Sequence, residues 1–199
     1  MAEPSRLAPL YGLVLAGGRS TRLGRDKAAI QFNGESLLAR AVREAGALSP
    51  IVRVAVRPGQ ISDPLRRAYE LITDEGEGMG PAAGVLAAQR FAPDAAWLVL
   101  ACDMPRLTPA VLRNLVARRD PGRGATAYRN AADGLPEPLC AIYEPATLAR
   151  FRAHVEAGGG ASLRQWLATA DALLLDDPGE GALGSVNTAE DVATLGTPG

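Results

Sequence analysis

Between Tyr11 and Lys27 the chain reads YGLVLAGGRSTRLGRDK, and residues able to do chemistry are concentrated there. Gly17 and Gly18 end the apolar run of Leu13, Val14 and Leu15, and glycine lets the backbone take positive φ or approach a ligand closely. Arg19, Arg22, Arg25 and Lys27 add positive charge to the same loop, which therefore suits a polyphosphate. Neither common phosphate loop is present: a Walker A loop needs Gly-Lys followed by Ser or Thr, and a dinucleotide fingerprint needs G-x-G-x-x-G. The plainer reading is a strand-turn-helix corner with solvated basic side chains. A second candidate is Asp103, directly after the apolar run Trp97 to Cys102, where a carboxylate at the exit of a buried strand is rigidly placed.

The pattern around these residues predicts the elements that hold them. Ser36 caps a helix through Leu37, Leu38, Ala41, Val42 and Ala45, ending near Gly46, and Ile51 to Val56 alternates as a strand before the Pro58-Gly59 turn. Leu71-Ile72 leads to Asp74 and a glycine-rich segment, and Pro81 opens an alanine-rich helix. Beyond Asp103, Thr108 caps a helix, Thr126 to Arg129 and Leu139 to Tyr143 read as strands, and Pro145 and Ser162 open two more helices. Leu173 to Leu175 makes a last strand and Thr188 caps a terminal helix. This alternation predicts an α/β fold, a three-layer Rossmann-like sandwich with a mainly parallel sheet. Ligands of such folds sit outside the carboxyl ends of the strands, so the glycine loop, Asp74 and Asp103 should meet on one edge.

With 199 residues, 22 glycines and 15 prolines spread along the chain, and 47% hydrophobic content, one domain spanning 1–199 is expected rather than disorder. The formal charge of −1 argues against a general nucleic-acid partner, for which a surplus of Lys and Arg is usual. The 2 cysteines, Cys102 and Cys140, stand in no metal or redox spacing, so no structural disulfide is expected. The start, MAEPSRLAPLYG, lacks a signal peptide's apolar core, and no apolar run approaches the ~20 residues that span a bilayer. The expectation is a cytoplasmic protein with no membrane partner. His154 has no visible partner and is read as neither base nor metal ligand.

From Leu15 to Lys27 the spacing is L-A-G-G-x-S-x-R-x-G-x-D-K, which resembles the signature of the nucleotidyltransferase superfamily and most closely the molybdenum cofactor guanylyltransferases, the MobA-like NTP transferases. The segment Cys102 to Pro105, CDMP, resembles the metal-binding motif of the same family. That resemblance implies a GT-A-like nucleotidyltransferase fold, with a nucleotide-binding part at about 10–120 and an acceptor part at about 121–199. It implies transfer of GMP from GTP to the phosphate of a molybdenum-bearing molybdopterin, with pyrophosphate released. Mg²⁺ is the implied cofactor and Asp103 its ligand, because a cation held by one or two carboxylates neutralises charge on the α-phosphate. Lys27 and Arg22 are implied to hold the triphosphate, one as a point charge and the other as a fork. Molybdoenzyme maturation proteins are implied as further partners.

The nucleotide-binding set expected from this reading is Leu15, Ala16, Gly17, Gly18, Lys27, Asp74, Gly80 and Asp103, with Asp26 orienting Lys27 or closing the loop. Gly80-Pro81-Ala82-Ala83-Gly84 resembles the family's G-P-x-A-G turn, and guanine is expected to be read by main chain at Leu15 to Gly17 and Met79 to Gly84. On the acceptor side the resemblance points to Glu137 to Tyr143 and to Asn187, which either helps complete the metal site or is a turn residue before Thr188. Gly158 to Gly160 before Ser162 and Arg164 is expected to take the acceptor's phosphate.

Two positions depart from the family. An Asn common at the end of the second strand is replaced by Val54 and Val56, followed by Arg57, and Arg164 is the lone charge between Gly158 and Leu167 where relatives are more basic. Alternatives are therefore cytidylyl or other nucleotidyl transfer to molybdopterin or a sugar phosphate, and a non-catalytic nucleotide-binding or cofactor-binding accessory protein.

Overall fold

In the computed structural model, residues 7–18 and 23–195 are described. Strand β1 (Leu10–Leu15) pairs in parallel with both β4 (Val52–Val56) and β6 (Ala96–Ala101), and β5 (Leu71–Thr73) pairs in parallel with β4. The sheet continues through β8 (Pro136–Tyr143), β7 (Ala125–Arg129) and β9 (Ala172–Leu175) in the order β5-β4-β1-β6-β8-β7-β9. Strand β8 runs antiparallel to both neighbours, while β7 and β9 are parallel. The expected α/β sandwich with a mainly parallel sheet is the fold observed.

Side-chain alternation sends the strands' apolar residues to two separate cores. On one face Val14, Val54, Val56, Leu98 and Leu100 pack with Leu38 and Ala45 of α1 (Leu37–Gly46) and with Leu112 and Leu115 of α3 (Pro109–Ala117). On the other, Leu13, Ala55, Trp97 and Val99 pack with Val85 and Leu86 of α2 (Pro81–Phe91), Phe151 of α4 (Pro145–Glu156) and Leu163 of α5 (Leu163–Thr169). The result is helix, sheet, helix in three layers. Every residue of β6 is buried, as its unbroken apolar run predicts for a strand covered on both faces.

The helices start where their chemistry directs. Ser36, Thr108, Ser162 and Thr188 each accept a hydrogen bond from a backbone amide in the first turn that follows, the last opening α6 (Ala189–Thr194). Pro81, Pro109 and Pro145 occupy first-turn positions. Ahead of α1 stands a small hairpin, β2 (Gln31–Phe32) and β3 (Glu35–Ser36), turned by Asn33 and Gly34 at φ of 50° and 83°. Between β4 and β5 no α-helix intervenes; residues 57–70 make a 3₁₀ turn at Pro58–Gln60 and further turns. Among the described residues no helix is long and apolar enough to cross a membrane.

Candidate active site

Four parallel strands deliver their carboxyl ends to one edge, and sequence order reverses between β4 and β6 on either side of β1, the position where open α/β sheets bind ligands. The ladder continues one residue beyond three of these ends. Ala16 N donates to Ala55 O at 3.0 Å, Asp74 N to Val56 O at 2.8 Å and Cys102 N to Leu15 O at 3.3 Å. The exits that carry the glycine loop, Asp74 and Asp103 are thereby held to the sheet itself.

A cleft of about 990 Å³ opens along this edge. From the expected set it brings together Leu15, Ala16, Gly17, Gly18 and Lys27 with Asp74, Gly80 and Asp103, and Asn187 closes it from the C-terminal segment. Arg22 and Arg19 lie outside the described residues. Arg164 lies instead on a neighbouring cavity of about 470 Å³, which shares Met79, Gly80 and Leu139 with the cleft.

The charges in the cleft are arranged in pairs. Lys27 donates from Nζ to Asp103 Oδ2 at 2.8 Å and to Asn187 Oδ1 at 2.8 Å. Both partners of the ion pair are about one-fifth exposed, so a ligand in the cleft reaches them. The C-terminal segment is fixed there by Val186, whose amide donates to Asp103 O at 2.9 Å and whose side chain packs on Ile30 and Leu37. Asn187 is thus brought to Lys27 and Asp103, rather than left as a turn residue alone.

Asp26 does close the loop. Its carboxylate caps the 3₁₀ turn Lys27–Ala29 by accepting from Ala28 N at 3.0 Å and is gripped by Arg66. Burial pushes its carboxyl up, but the Arg66 hydrogen bonds and charge, the Ala28 amide and the Arg57 charge outweigh that and hold it below the usual range.

Asp74 is in the opposite situation. Half-buried at the strand end, it is pushed above the usual carboxylate range by desolvation, which the Arg57 charge offsets only in part. Its two oxygens pack against glycines: a Cβ built on Gly17 would stand 2.7 Å from Oδ2 and one on Gly84 3.1 Å from Oδ1. Gly80, at φ 57° and ψ −137°, turns the chain into the first turn of α2, which borders the same cleft.

Val54, Val56 and Arg164 differ from what the sequence suggested. Val54 and Val56 point into the α1 and α3 core, and the residue that β4 turns toward the cleft is Ala55. Arg57, just past the strand, donates from Nε to Gly17 O at 2.6 Å. Arg164 meets two carboxylates, Asp133 and Glu137, so its charge is already matched where a phosphate was expected to take it. Sequence reasoning missed Arg66 altogether: it lies in the irregular 57–70 segment, 1% exposed, with every bond long-range or local to Asp63.

Among the described residues no group of three or more His, Cys, Asp or Glu side chains is assembled for a metal. One carboxylate at the cleft, Asp103, fits a hard cation that takes its other oxygens from a bound phosphate and from water. Thiolate coordination does not fit, since burial, with the Asp103 charge, pushes the Cys102 thiol up to about 12.

The profile of the MobA-like NTP transferase domain matches residues 12–174, which include most of β1, the glycine loop and every strand exit just described. The chain belongs to the MobA-like NTP transferase family. It is 44% identical over 155 residues to the probable molybdenum cofactor guanylyltransferase of Opitutus terrae, covering 75% of this chain and 73% of that protein. It is 36% identical over 150 residues to the molybdenum cofactor biosynthesis bifunctional protein of Synechocystis sp., covering 72% of this chain and 41% of that longer relative. The solved structure of molybdopterin-guanine dinucleotide biosynthesis protein A from Archaeoglobus fulgidus has the same fold, with a TM-score of 0.75 and 23% identity over 93% of this chain and 96% of that one.

Proposed function

We propose that this member of the family is a nucleotidyltransferase that moves GMP from GTP to the phosphate of molybdenum-bearing molybdopterin. An oxygen of the acceptor phosphate bonds to the α-phosphorus, the bond from that phosphorus to the α,β-bridging oxygen breaks, and pyrophosphate leaves with the electron pair. The observation that carries this reading is the meeting of Lys27 and Asp103, 2.8 Å apart, beside the glycine loop of a chain with guanylyltransferase relatives.

Lys27 supports the negative triphosphate as a point charge, and Asn187 and Asp103 hold its ammonium in place. Arg22 is assigned to the same triphosphate by the sequence pattern. Asp103 would hold the divalent cation, for which Mg²⁺ suits an all-oxygen site with few protein ligands, and when bound it supplies charge neutralisation at the α-phosphate. The acceptor oxygen is already ionised, so no protein nucleophile is required, and positioning supplies much of the rate.

Guanine is assigned to the main chain of Leu15 to Gly17 and Met79 to Gly84, with Asp74 between them. Guanine offers an acceptor at O6 and donors at N1 and N2, and a half-buried carboxylate packed against glycines complements those donors. The acceptor is assigned to the neighbouring cavity along Pro138, Leu139 and Ser162, so the division at about residue 120 separates a nucleotide part from an acceptor part, except that Met79 and Gly80 line both cavities and Asn187 reaches the nucleotide cleft. Both substrates are phosphates of the cell interior, and a cytoplasmic location and hand-over to molybdoenzyme maturation proteins go with this reading.

Cytidylyl transfer is the competing reading, and Ala55, which offers the base no polar contact, is the observation that favours it. Turnover with molybdopterin, Mg²⁺ and each of GTP, CTP, ATP and UTP decides between them. An unpaired polar edge costs about 1–3 kcal/mol, so GTP should be preferred over CTP at least about tenfold. Use of CTP as well as GTP overturns the guanylyl assignment.

A further inference from the structure

We propose that Arg66 is a positioning residue that pins both ends of the glycine loop at once and thereby sets the register of the triphosphate in the cleft. The inference rests on the reading of this cleft as a nucleoside triphosphate site.

The loop follows Ala16 at the end of β1, Asp26 caps the turn Lys27–Ala29 on its far side, and one guanidinium bonds to both residues. Arg66 donates to Ala16 O from Nε at 3.1 Å and from Nη2 at 2.9 Å, and to Asp26 from Nη1 at 2.6 Å and Nη2 at 2.9 Å. A further bond from Nη1 to Asp63 Oδ1 at 3.2 Å gives five in all, matching the five N–H donors that arginine carries. The same Asp63 oxygen accepts from the amides of Leu65 and Arg66 at 3.1 Å, which fixes the turn from which the side chain projects. At 1% exposure the guanidinium is shut off from the cleft and touches no ligand itself.

Its effect on the triphosphate runs through two short connections. Asp26, held by Arg66, caps the turn that starts at Lys27, and Lys27 reaches Asp103. Ala16, held by the same fork, precedes Gly17, whose carbonyl Arg57 takes. Residues 57–70 therefore brace Ala16, Gly17 and Asp26, where an ordinary crossover would place a helix. Lysine at 66 keeps the charge but has a single nitrogen, which cannot span Ala16 and Asp26 in this fork geometry.

The test is the ratio of guanosine to GTP dissociation constants, measured by calorimetry with Mg²⁺ for the native chain, Arg66→Lys and Asp26→Asn. A residue that only supports the fold weakens both ligands together through the folded fraction, and the ratio stays put. Loss of loop register weakens GTP selectively, so the ratio should fall at least tenfold in Arg66→Lys and several-fold in Asp26→Asn, which keeps the Arg66 bonds to Ala16 and Asp63. A ratio within twofold of the native value in either variant overturns the inference. Where Arg66→Lys yields no folded protein, Asp26→Asn decides alone. If the native chain fails to bind GTP, the triphosphate reading of the cleft falls and this inference falls with it. Tight native binding with an unmoved ratio sinks the role of Arg66 alone.

Discussion

The ammonium of Lys27 stands 2.8 Å from the carboxylate of Asp103, although 76 residues separate them in the chain. Each is the other's partner before any ligand arrives, so removing one leaves a charge in a partly enclosed cleft. Asp103→Ala should abolish turnover without unfolding the protein, because the side chain reaches solvent at a strand end. A loss of about 4 kcal/mol of transition-state stabilisation corresponds to about a thousandfold in rate. Pyrophosphate release near the native rate with Mg²⁺ present refutes the assignment. Lys27→Ala should weaken GTP more than guanosine, and equal losses would place Lys27 away from the phosphates.

Gly17 and Gly84 confine the two oxygens of Asp74, and the consequences of adding a methyl differ. At Gly84 the new Cβ would lie 2.8 Å from both Ala55 Cβ and Leu15 Cδ2. Ala55 cannot yield without moving β4, so the overpacking of about 1–3 kcal/mol outweighs the helix-propensity gain of about 1 kcal/mol. Thermal unfolding of Gly84→Ala should come at a lower temperature. At Gly17 the close atom is the Asp74 carboxylate, which can rotate. Gly17→Ala should therefore keep its melting temperature and lose nucleotide affinity, a separation that a melt and a titration on the same sample will show.

Much of the fold could be read in advance because its signals are local. The caps Ser36, Thr108, Ser162 and Thr188 and the prolines that open α2 and α4 act within one turn, and the structure keeps all of them. Asp74 and Asp103 were legible as residues that follow apolar runs. Asn33-Gly34 is a strong hairpin signal, but the strands it joins have two residues each and no periodicity to mark them.

What escaped was long-range. Arg66 belongs to no periodic segment, and its partners Ala16 and Asp26 lie 50 and 40 residues away, adjacent only once β4 has paired with β1. That Ala55, rather than Val54 or Val56, faces the cleft is a question of parity: alternation shows that two faces exist but not which of them meets α2 and the cleft. Arg164 is the lone charge of its own segment, and its partners Asp133 and Glu137 lie on a loop and strand that only the antiparallel placement of β8 brings to α5.

Away from the cleft, Arg119 and Glu144 form a two-point pair, Nε to Oε1 at 2.7 Å and Nη2 to Oε2 at 2.9 Å, with both side chains 7% exposed. The pair ties the end of α3 to the start of α4. Removing one member strands a buried charge, which costs about 3–5 kcal/mol. Glu144→Ala should lower the urea midpoint accordingly and leave GTP affinity of the folded protein unchanged. A shift under about 1 kcal/mol would mean that water reaches the pair.

Asp74 gives the clearest pH signature. Its folded-state pKa is raised by burial, so its contribution to stability is present below the unfolded value, near 3.9, and is lost as pH rises through the folded value. Asp26 has the opposite sign: its contribution is present above the unfolded value and is lost as pH falls through the depressed folded value. At neutral pH the ionised Asp74 therefore weighs against the ligand-free fold, while the ionised Asp26 supports it. Asp74→Asn should raise the ligand-free melting temperature at pH 7, and its partial exposure limits the gain to under about 1 kcal/mol, about 2–4 °C for a chain of this size. The gain should vanish by about pH 3, where the native carboxyl is also neutral. With GTP the order should reverse, because ligand at a hundred times its dissociation constant adds about 2.7 kcal/mol to the native protein and less to a variant that has lost a base contact. Melts of both proteins at pH 3 and pH 7, with and without GTP and Mg²⁺ at pH 7, test each sign separately. A variant that melts lower than the native chain in every condition would show that Asp74 serves the fold and not the nucleotide.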